Sequence, residues 1–273
     1  MSTSLDAALG GMLQQQRNLE LISGNLSNVN TIGYKRASVR FQDVLDTAAV
    51  LRAIEGDLGE TDGTTAASKV ESEVIERIFT QGSLIESRMP LDMAISGRGF
   101  FRLKLEDGTF VYSRDGGFRL DADRRLVTHN GALIDPPITF PDLYANVRVL
   151  TDGSIMVRRP YTAEELAALP QGAQTSGVDE SIGRVGLSRF NNLVAVKSIG
   201  NSFYQAEEGA GVTDGFPGDE GLGVLQGGFL EASNVDVARE MVGLIIATRV
   251  YQLNVAAYKT IRDMLDDANE LLA

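Results

Sequence analysis

The sequence predicts an α+β fold in which paired long N- and C-terminal helices, coiled-coil-like, flank a mainly antiparallel β domain. Two observations carry the prediction. Apolar residues recur with a period near 3.5 at both ends of the 273-residue chain, the spacing of a helical seam. Between the ends the period falls to two, interrupted by Gly-containing turns, as in β-hairpins.

The first helix is expected over roughly residues 4–29. Leu5, Leu9, Met12, Gln16, Leu19, Ser23 and Leu26 alternate steps of four and three. The run ends in Asn28-Val29-Asn30-Thr31-Ile32-Gly33, where Asn and Gly tolerate the backbone conformations that stop a helix. The closing helix is expected after Ser233-Asn234-Val235-Asp236, a Ser followed three residues later by an acid, as in a capping box. From there Val237, Met241, Leu244, Thr248, Tyr251, Val255, Tyr258, Arg262, Leu265, Asn269 and Leu272 form one row, and Ile246, Val250, Leu253, Ala257, Ile261, Met264 and Leu271 a second. At about 100° per residue the second row lies nearly across the helix from the first. The chain supplies one other long helical segment, so the expectation is that the first row packs on that helix and the second on a neighbouring molecule.

Three hairpins are legible in the middle. Phe100–Leu105 turns through Glu106-Asp107-Gly108 into Thr109–Arg114. Arg125–His129 turns through Asn130-Gly131 into Ala132–Ile134, and Val147–Leu150 through Asp152-Gly153 into Ile155–Val157. The predicted division is a discontinuous helical assembly core of 1–36 with 229–273, an extended linker region of 37–90 with 201–228, and a β domain over 91–200. Glu55–Ser68 and Glu207–Gly223, rich in Gly and acidic residues, are expected as surface loops, as is Thr162–Asp179 with its short helix-like AEELAAL.

Charge and absences restrict the chemistry. Against 25 Lys and Arg stand 37 Asp and Glu, a net charge of −12, and no cationic cluster offers a nucleic-acid footprint. Residues 1–36 carry three basic and two acidic side chains and 234–273 four and six, so the helical ends are nearly neutral and the acidity lies between them. With no Cys and a single His, disulfides, thiolate metal sites and cysteine nucleophiles are excluded. No stretch without a polar side chain exceeds seven residues, the length of Met241–Ala247, and a transmembrane helix needs roughly 18. The start, MSTSLDAALGG, has no basic region of the kind that opens a secretory signal.

Candidate chemical sites are weak. Gly97-Arg98-Gly99-Phe100-Phe101 lacks the third glycine, the Lys-Ser/Thr and the following helix of a phosphate loop, and reads as a tight turn entering a strand. Asp121-Ala122-Asp123 lacks the Gly and Glu that complete a calcium loop. His129 stands beside Asn130-Gly131 with no nucleophile elbow in the sequence, and reads as a hairpin residue. Asp263, Asp266, Asp267 and Glu270 read as a solvated helix face. No enzyme and no cofactor is expected. A rival reading from another class is a β-rich binding or adhesion module on a helical stalk.

Three separated segments resemble one family, the rod and hook group of axial proteins of the bacterial flagellum. Ser23-Gly24-Asn25-Leu26-Ser27-Asn28-Val29-Asn30-Thr31-Ile32-Gly33-Tyr34-Lys35-Arg36 is similar to its N-terminal signature, with Gly24 where that signature usually has Asn. Asp92–Phe101, with Gly97, Gly99, Phe100 and Phe101, then Tyr112–Phe118 and Leu126–Thr128, resemble the start of its β domain. Gly228–Asp236, with Ser233, Asn234 and Val235, then Glu240–Val242 and Arg249–Asn254, resemble its C-terminal signature. Val185–Asn192 and Ser198–Gly200 look most like the distal-rod branch. Residues 47–75 depart from that branch, and 159–180 look inserted. The resemblance implies terminal helices paired as an inner coiled coil and subunits wound into a helical homo-oligomer. It also implies other rod and hook proteins as partners, a basal-body location, and exit through the flagellar type III export apparatus without signal cleavage.

Overall fold

The computed structural model describes residues 2–44, 70–161, 177–219 and 221–272. The expected loop at 55–68, the helix-like 163–169 and most of the 159–180 insertion lie outside the described residues. The chain divides into two compact units. One comprises Met1–Asn25, Ala37–Ile78 and Ala238–Ala273, the other Leu26–Arg36 and Phe79–Val237.

The first unit holds most of helices α1 (Ser2–Ser27) and α2 (Val237–Leu272), and strands β1 (Ala37–Val44) and β2 (Val70–Arg77). β1 and β2 pair antiparallel over their full length, from Ala37↔Arg77 to Val44↔Val70. Residues expected in an extended linker are therefore a hydrogen-bonded ribbon. Alternation such as Val39-Arg40-Phe41 suits a strand, but nothing local identified the partner. α2 opens at Val237, with Asp236 in the preceding position. The Ser233 hydroxyl accepts from the Val235 amide at 3.3 Å, two residues on rather than three as the expected capping box required.

The second unit is the β domain, and every strand pairing described in it is antiparallel. The three expected hairpins form: β5 (Phe100–Lys104) with β6 (Phe110–Ser113), β8 (Leu126–Thr128) with β9 (Leu133–Ile134), and β10 (Asn146–Val149) with β11 (Ser154–Arg159). Gly108, Gly131 and Gly153 sit at φ of 86°, 84° and 87° in the turns, which glycine reaches without steric cost. β5 to β9 belong to a nine-stranded sheet with β7 at Phe118–Leu120, β13 at Leu187–Phe190, β14 at Val196–Gly200, β15 at Phe203–Ala206 and β16 at Val212–Gly215. β12 (Val178–Arg184) adds to β11.

The expected linker 201–228 departs furthest from the prediction. β15 pairs with β6, β16 with β13, and β17 (Val224–Gly227) with β4 (Met93–Ser96). β18 (Phe229–Glu231) pairs with β3 (Leu84–Glu86). These strands are short and lie among glycines, so their composition imitates a loop, and non-local pairing supplies what propensity lacks.

β5 serves two apolar clusters. Phe101 and Leu103 join Met93, Val111, Leu126 and Ile155 in the larger one. Phe100 joins Tyr112, Phe190 and Tyr204 in the smaller, with Phe79 packed against it. Burial of both faces explains why Phe100-Phe101 breaks the alternation of a half-exposed strand.

Candidate functional site

Within the β domain the signature residues converge on one buried cluster of charges. The helix-ending Asn28 accepts the Thr31 hydroxyl at 3.1 Å. Gly33 follows at φ 67° and donates its amide to the Glu231 carbonyl at 2.8 Å. A Cβ there would lie 2.5 Å from the Asp115 nitrogen and 2.6 Å from the Arg114 carbonyl carbon, so the close approach and the left-handed conformation both demand glycine.

That approach seats Lys35, whose side chain is fully buried. Its ammonium lies 2.5 Å from Glu231 Oε1 and donates to the Thr80 carbonyl at 2.8 Å. Glu231 is equally buried. Its Oε2 accepts from Arg114 at 3.1 Å and its Oε1 from the Gly82 amide at 2.9 Å. Arg114 also donates to the Gly97 carbonyl at 2.9 Å, and its guanidinium carbon lies 5.2 Å from the Phe100 ring centroid. Arg114 Nε is buried without an acceptor. Burial pulls the Lys35 ammonium below the usual lysine range, against the attraction of Glu231, and lowers Arg114 for the same reason. One carboxylate thus faces two cations at a buried site.

Asn234 completes the junction. Its carbonyl oxygen accepts the Arg36 amide at 2.7 Å, and its amide donates to the carbonyl and hydroxyl of Thr80 at 3.1 and 2.9 Å. Its backbone nitrogen donates to the Tyr34 carbonyl at 3.4 Å. Val235 is buried and Ser233 half-buried. Segments 33–36, 79–82 and 231–235 are held together by these bonds. The arrangement fixes backbone and offers no open catalytic group.

In the first unit Asn25 does the equivalent work. Its side-chain amide exchanges two 2.9 Å hydrogen bonds with the Ala37 backbone and donates to Glu240 at 3.3 Å. A Cβ on Gly11 would stand 2.9 Å from Asn254 Nδ2, and one on Gly243 3.5 Å from Ile22 Cδ1.

The proposed interface residues divide by cover in a way the two predicted rows do not follow. Of the first row, Leu244, Tyr251, Val255 and Tyr258 are half-buried while Val237 and Met241 are exposed. Of the second, Val250 and Ile261 are half-buried while Ile246, Leu253 and Met264 are exposed. Leu253 reaches 68% exposure, and Val242 and Ile245, which belong to neither row, are also exposed. On α1, Leu9 and Leu13 are exposed, and Met12, Leu19 and Leu26 half-buried. The Leu5 side chain lies outside the described residues.

The weak chemical candidates have structural explanations. Gly97 and Gly99, at φ 112° and 132°, form the turn that enters β5. His129 is exposed, and its carbonyl accepts from Arg119 at 2.7 Å. Asp121 and Asp123 both pair with Arg125. Among the described residues no cluster of potential metal ligands occurs, and no helix is long and apolar enough to cross a membrane.

Sequence reasoning missed the roles of Glu231, Arg114 and Thr80. Glu231 and Arg114 lie inside the quoted motifs, but nothing local marks them as buried. Their one signal is opposite charge within segments otherwise rich in Gly and apolar residues.

Comparison with known proteins agrees with this architecture along the chain. Residues 5–35 match the family described as flagella basal body rod protein, 94–157 the D1 domain of flagellar hook protein FlgE/F/G, and 226–271 the C-terminal region of flagellar basal body rod FlgEFG protein. The flagellar basal-body rod protein FlgG of Borreliella burgdorferi is 36% identical over 99% of both chains, and that of Bacillus subtilis 31% over 98% of both. FlgF of Caulobacter vibrioides is 27% identical over 99% of this chain and 95% of its own. Such whole-length likeness does not favour a binding module on a stalk. A chain whose two ends and β domain each match in order, and whose signature residues build its buried junction, belongs to the flagellar rod and hook family, most like FlgG, as a non-enzymatic structural subunit of the basal-body rod.

Proposed function

We propose that the chain assembles helically with copies of itself, and with other rod and hook proteins, into a shaft that transmits torque to the hook. The assembly core is residues 1–36 with 229–273, in which α1 and α2 pair in a coiled-coil-like manner and neighbours cover the remaining apolar surface. Contacts of this kind are heterologous and do not close into a ring. Passage through the flagellar export apparatus without a cleaved signal belongs to the same reading.

The observation that carries it is the exposed apolar set on α2: Met241, Val242, Ile245, Ile246, Leu253 and Met264. Fully burying each such side chain is worth about 1.5–3 kcal/mol, a driving force that the lone chain leaves unused. The near neutrality of the helical ends lowers the electrostatic cost of bringing copies together.

The test is Ile246→Asp with Leu253→Asp. Both side chains are exposed in the monomer, so the β domain should keep its tyrosine near-ultraviolet circular dichroism. Electron microscopy and sedimentation of concentrated protein should show filaments for the parent and none for the variant, since each carboxylate buried without a partner costs several kcal/mol. Filaments formed equally well by the variant would refute the reading.

A further inference from the structure

The contacts seen between α1 and α2 fall on polar and small residues, with Ile22 the one large apolar side chain among them. The covered positions on α1 include Gly11, Gln15, Asn18, Ile22 and Asn25; those on α2 include Glu240, Gly243, Ala247, Val250 and Asn254. Both sets alternate steps of three and four, the period of a seam. Large apolar side chains were available within one or two positions: Leu9 and Leu13 on α1, Met241, Ile245, Ile246 and Leu253 on α2. All six are exposed.

Three contacts define how the helices align. Gly11 meets Asn254, Ile22 meets Gly243, and Asn25 meets Glu240. Eleven residues forward on α1 correspond to eleven back on α2, then three to three, so all belong to one antiparallel register. Polar groups mark both ends. The Asn254 amide lies over Gly11 where a side chain would crowd it, and Asn25, held on both sides by the Ala37 backbone, reaches buried Glu240. A slip of one heptad would set Asn254 opposite Asn18 or Ser4 and separate Asn25 from Glu240.

We infer that the Gly11–Asn254 and Asn25–Glu240 contacts are a register lock. They specify one alignment of α1 against α2 at the expense of pairing strength, and leave the large apolar side chains free for neighbouring copies. Buried polar residues at seam positions of coiled coils act in this way, fixing register while costing stability. The inference rests on the helix pairing proposed above and adds which residues determine its alignment.

The test uses the full chain in dilute solution. Because the chain has no Cys, Leu13→Cys and Gln252→Cys, both at exposed positions, carry spin labels at those sites alone. In the parent background, pulsed dipolar spectroscopy should give one narrow short-distance population. Asn254→Leu with Glu240→Leu should give two or more, because one heptad of slip moves the labels by about 10 Å along the axis. Asn254→Gln with Glu240→Gln should restore the single population. Should the double leucine variant lose helical circular dichroism, Asn254→Leu alone takes its place, with broadening again expected. Retention of the single parental distance by the leucine variants would overturn the lock while sparing the pairing. Absence of any short distance in the parent would overturn the pairing and the lock together.

Discussion

Glu231→Gln is the sharpest probe of the buried junction. The substitution preserves shape and leaves an oxygen to accept the Gly82 amide, now 2.9 Å away. It removes the charge that faces Lys35 at 2.5 Å and Arg114 at 3.1 Å. Deleting one member of a buried ion pair costs about 3–5 kcal/mol, because the partner stays charged and desolvated. Two cations depend on this carboxylate, but Lys35 has an escape. Its ammonium is already below the usual lysine range, and as a neutral amine it can still donate to Thr80. The expected loss is therefore about 3–5 kcal/mol rather than twice that. For a domain of this size each kcal/mol lowers Tm by about 2–4 °C, which predicts a fall of about 6–20 °C in thermal unfolding at pH 7. The pH dependence supplies a second readout. Where the folded Lys35 pKa lies below the unfolded value, the unfolded chain binds more protons between the two, so stability rises with pH across that window. Losing Glu231 widens the window downward, and the deficit of the variant should shrink between pH 7 and pH 10. A Tm within about 3 °C of the parent, below the 6 °C floor of the expected range, would refute the account of Glu231 as the shared counter-charge. A deficit independent of pH would refute the part assigned to Lys35.

Two further predictions concern the same domain. Gly33→Ala combines a left-handed φ with contact against the backbone of Arg114 and Asp115, and should destabilise by more than about 2 kcal/mol. Gly108→Ala has a similar φ and open space and should cost only about 1 kcal/mol; equal losses in urea titration would contradict the close-approach argument. Burial raises the Asp115 carboxyl above the usual carboxylate range, opposed by the Gly117 amide and by His129. A raised carboxyl contributes stability at pH below its unfolded pKa and loses it as pH rises through the folded value. Asp115→Asn keeps an acceptor for Gly117. Its Tm relative to the parent should therefore be higher at pH 7 than at pH 4, and the opposite trend would remove desolvation as the cause.

What the sequence disclosed was local. Each predicted hairpin has its Gly at the turn and apolar residues beside it, so neighbouring residues suffice to specify it, as at Asn130-Gly131. The helices are legible for the same reason, with α1 at Ser2–Ser27 against an expected 4–29. What escaped depends on distant partners. β16, Val212–Gly215, resembles a Gly-rich loop until β13 lies beside it. On α2 the periodicity located apolar rows, but the covered side passes through Glu240, Gly243 and Asn254, residues that hydropathy ranks low. Lys35 was marked by resemblance, whereas Glu231, 196 residues away, could be recognised as its counter-ion only in the fold.

That separation bears on how the chain reaches its final state. Hairpins such as β5–β6 close over a few residues, but the Lys35–Glu231 contact closes a loop of 196 residues, and long closures are slow and entropically costly. A copy cut short before Glu231 would lack the carboxylate that Lys35 and Arg114 share in the folded domain. Completion of the buried junction is thereby tied to the arrival of residue 231, late in the chain.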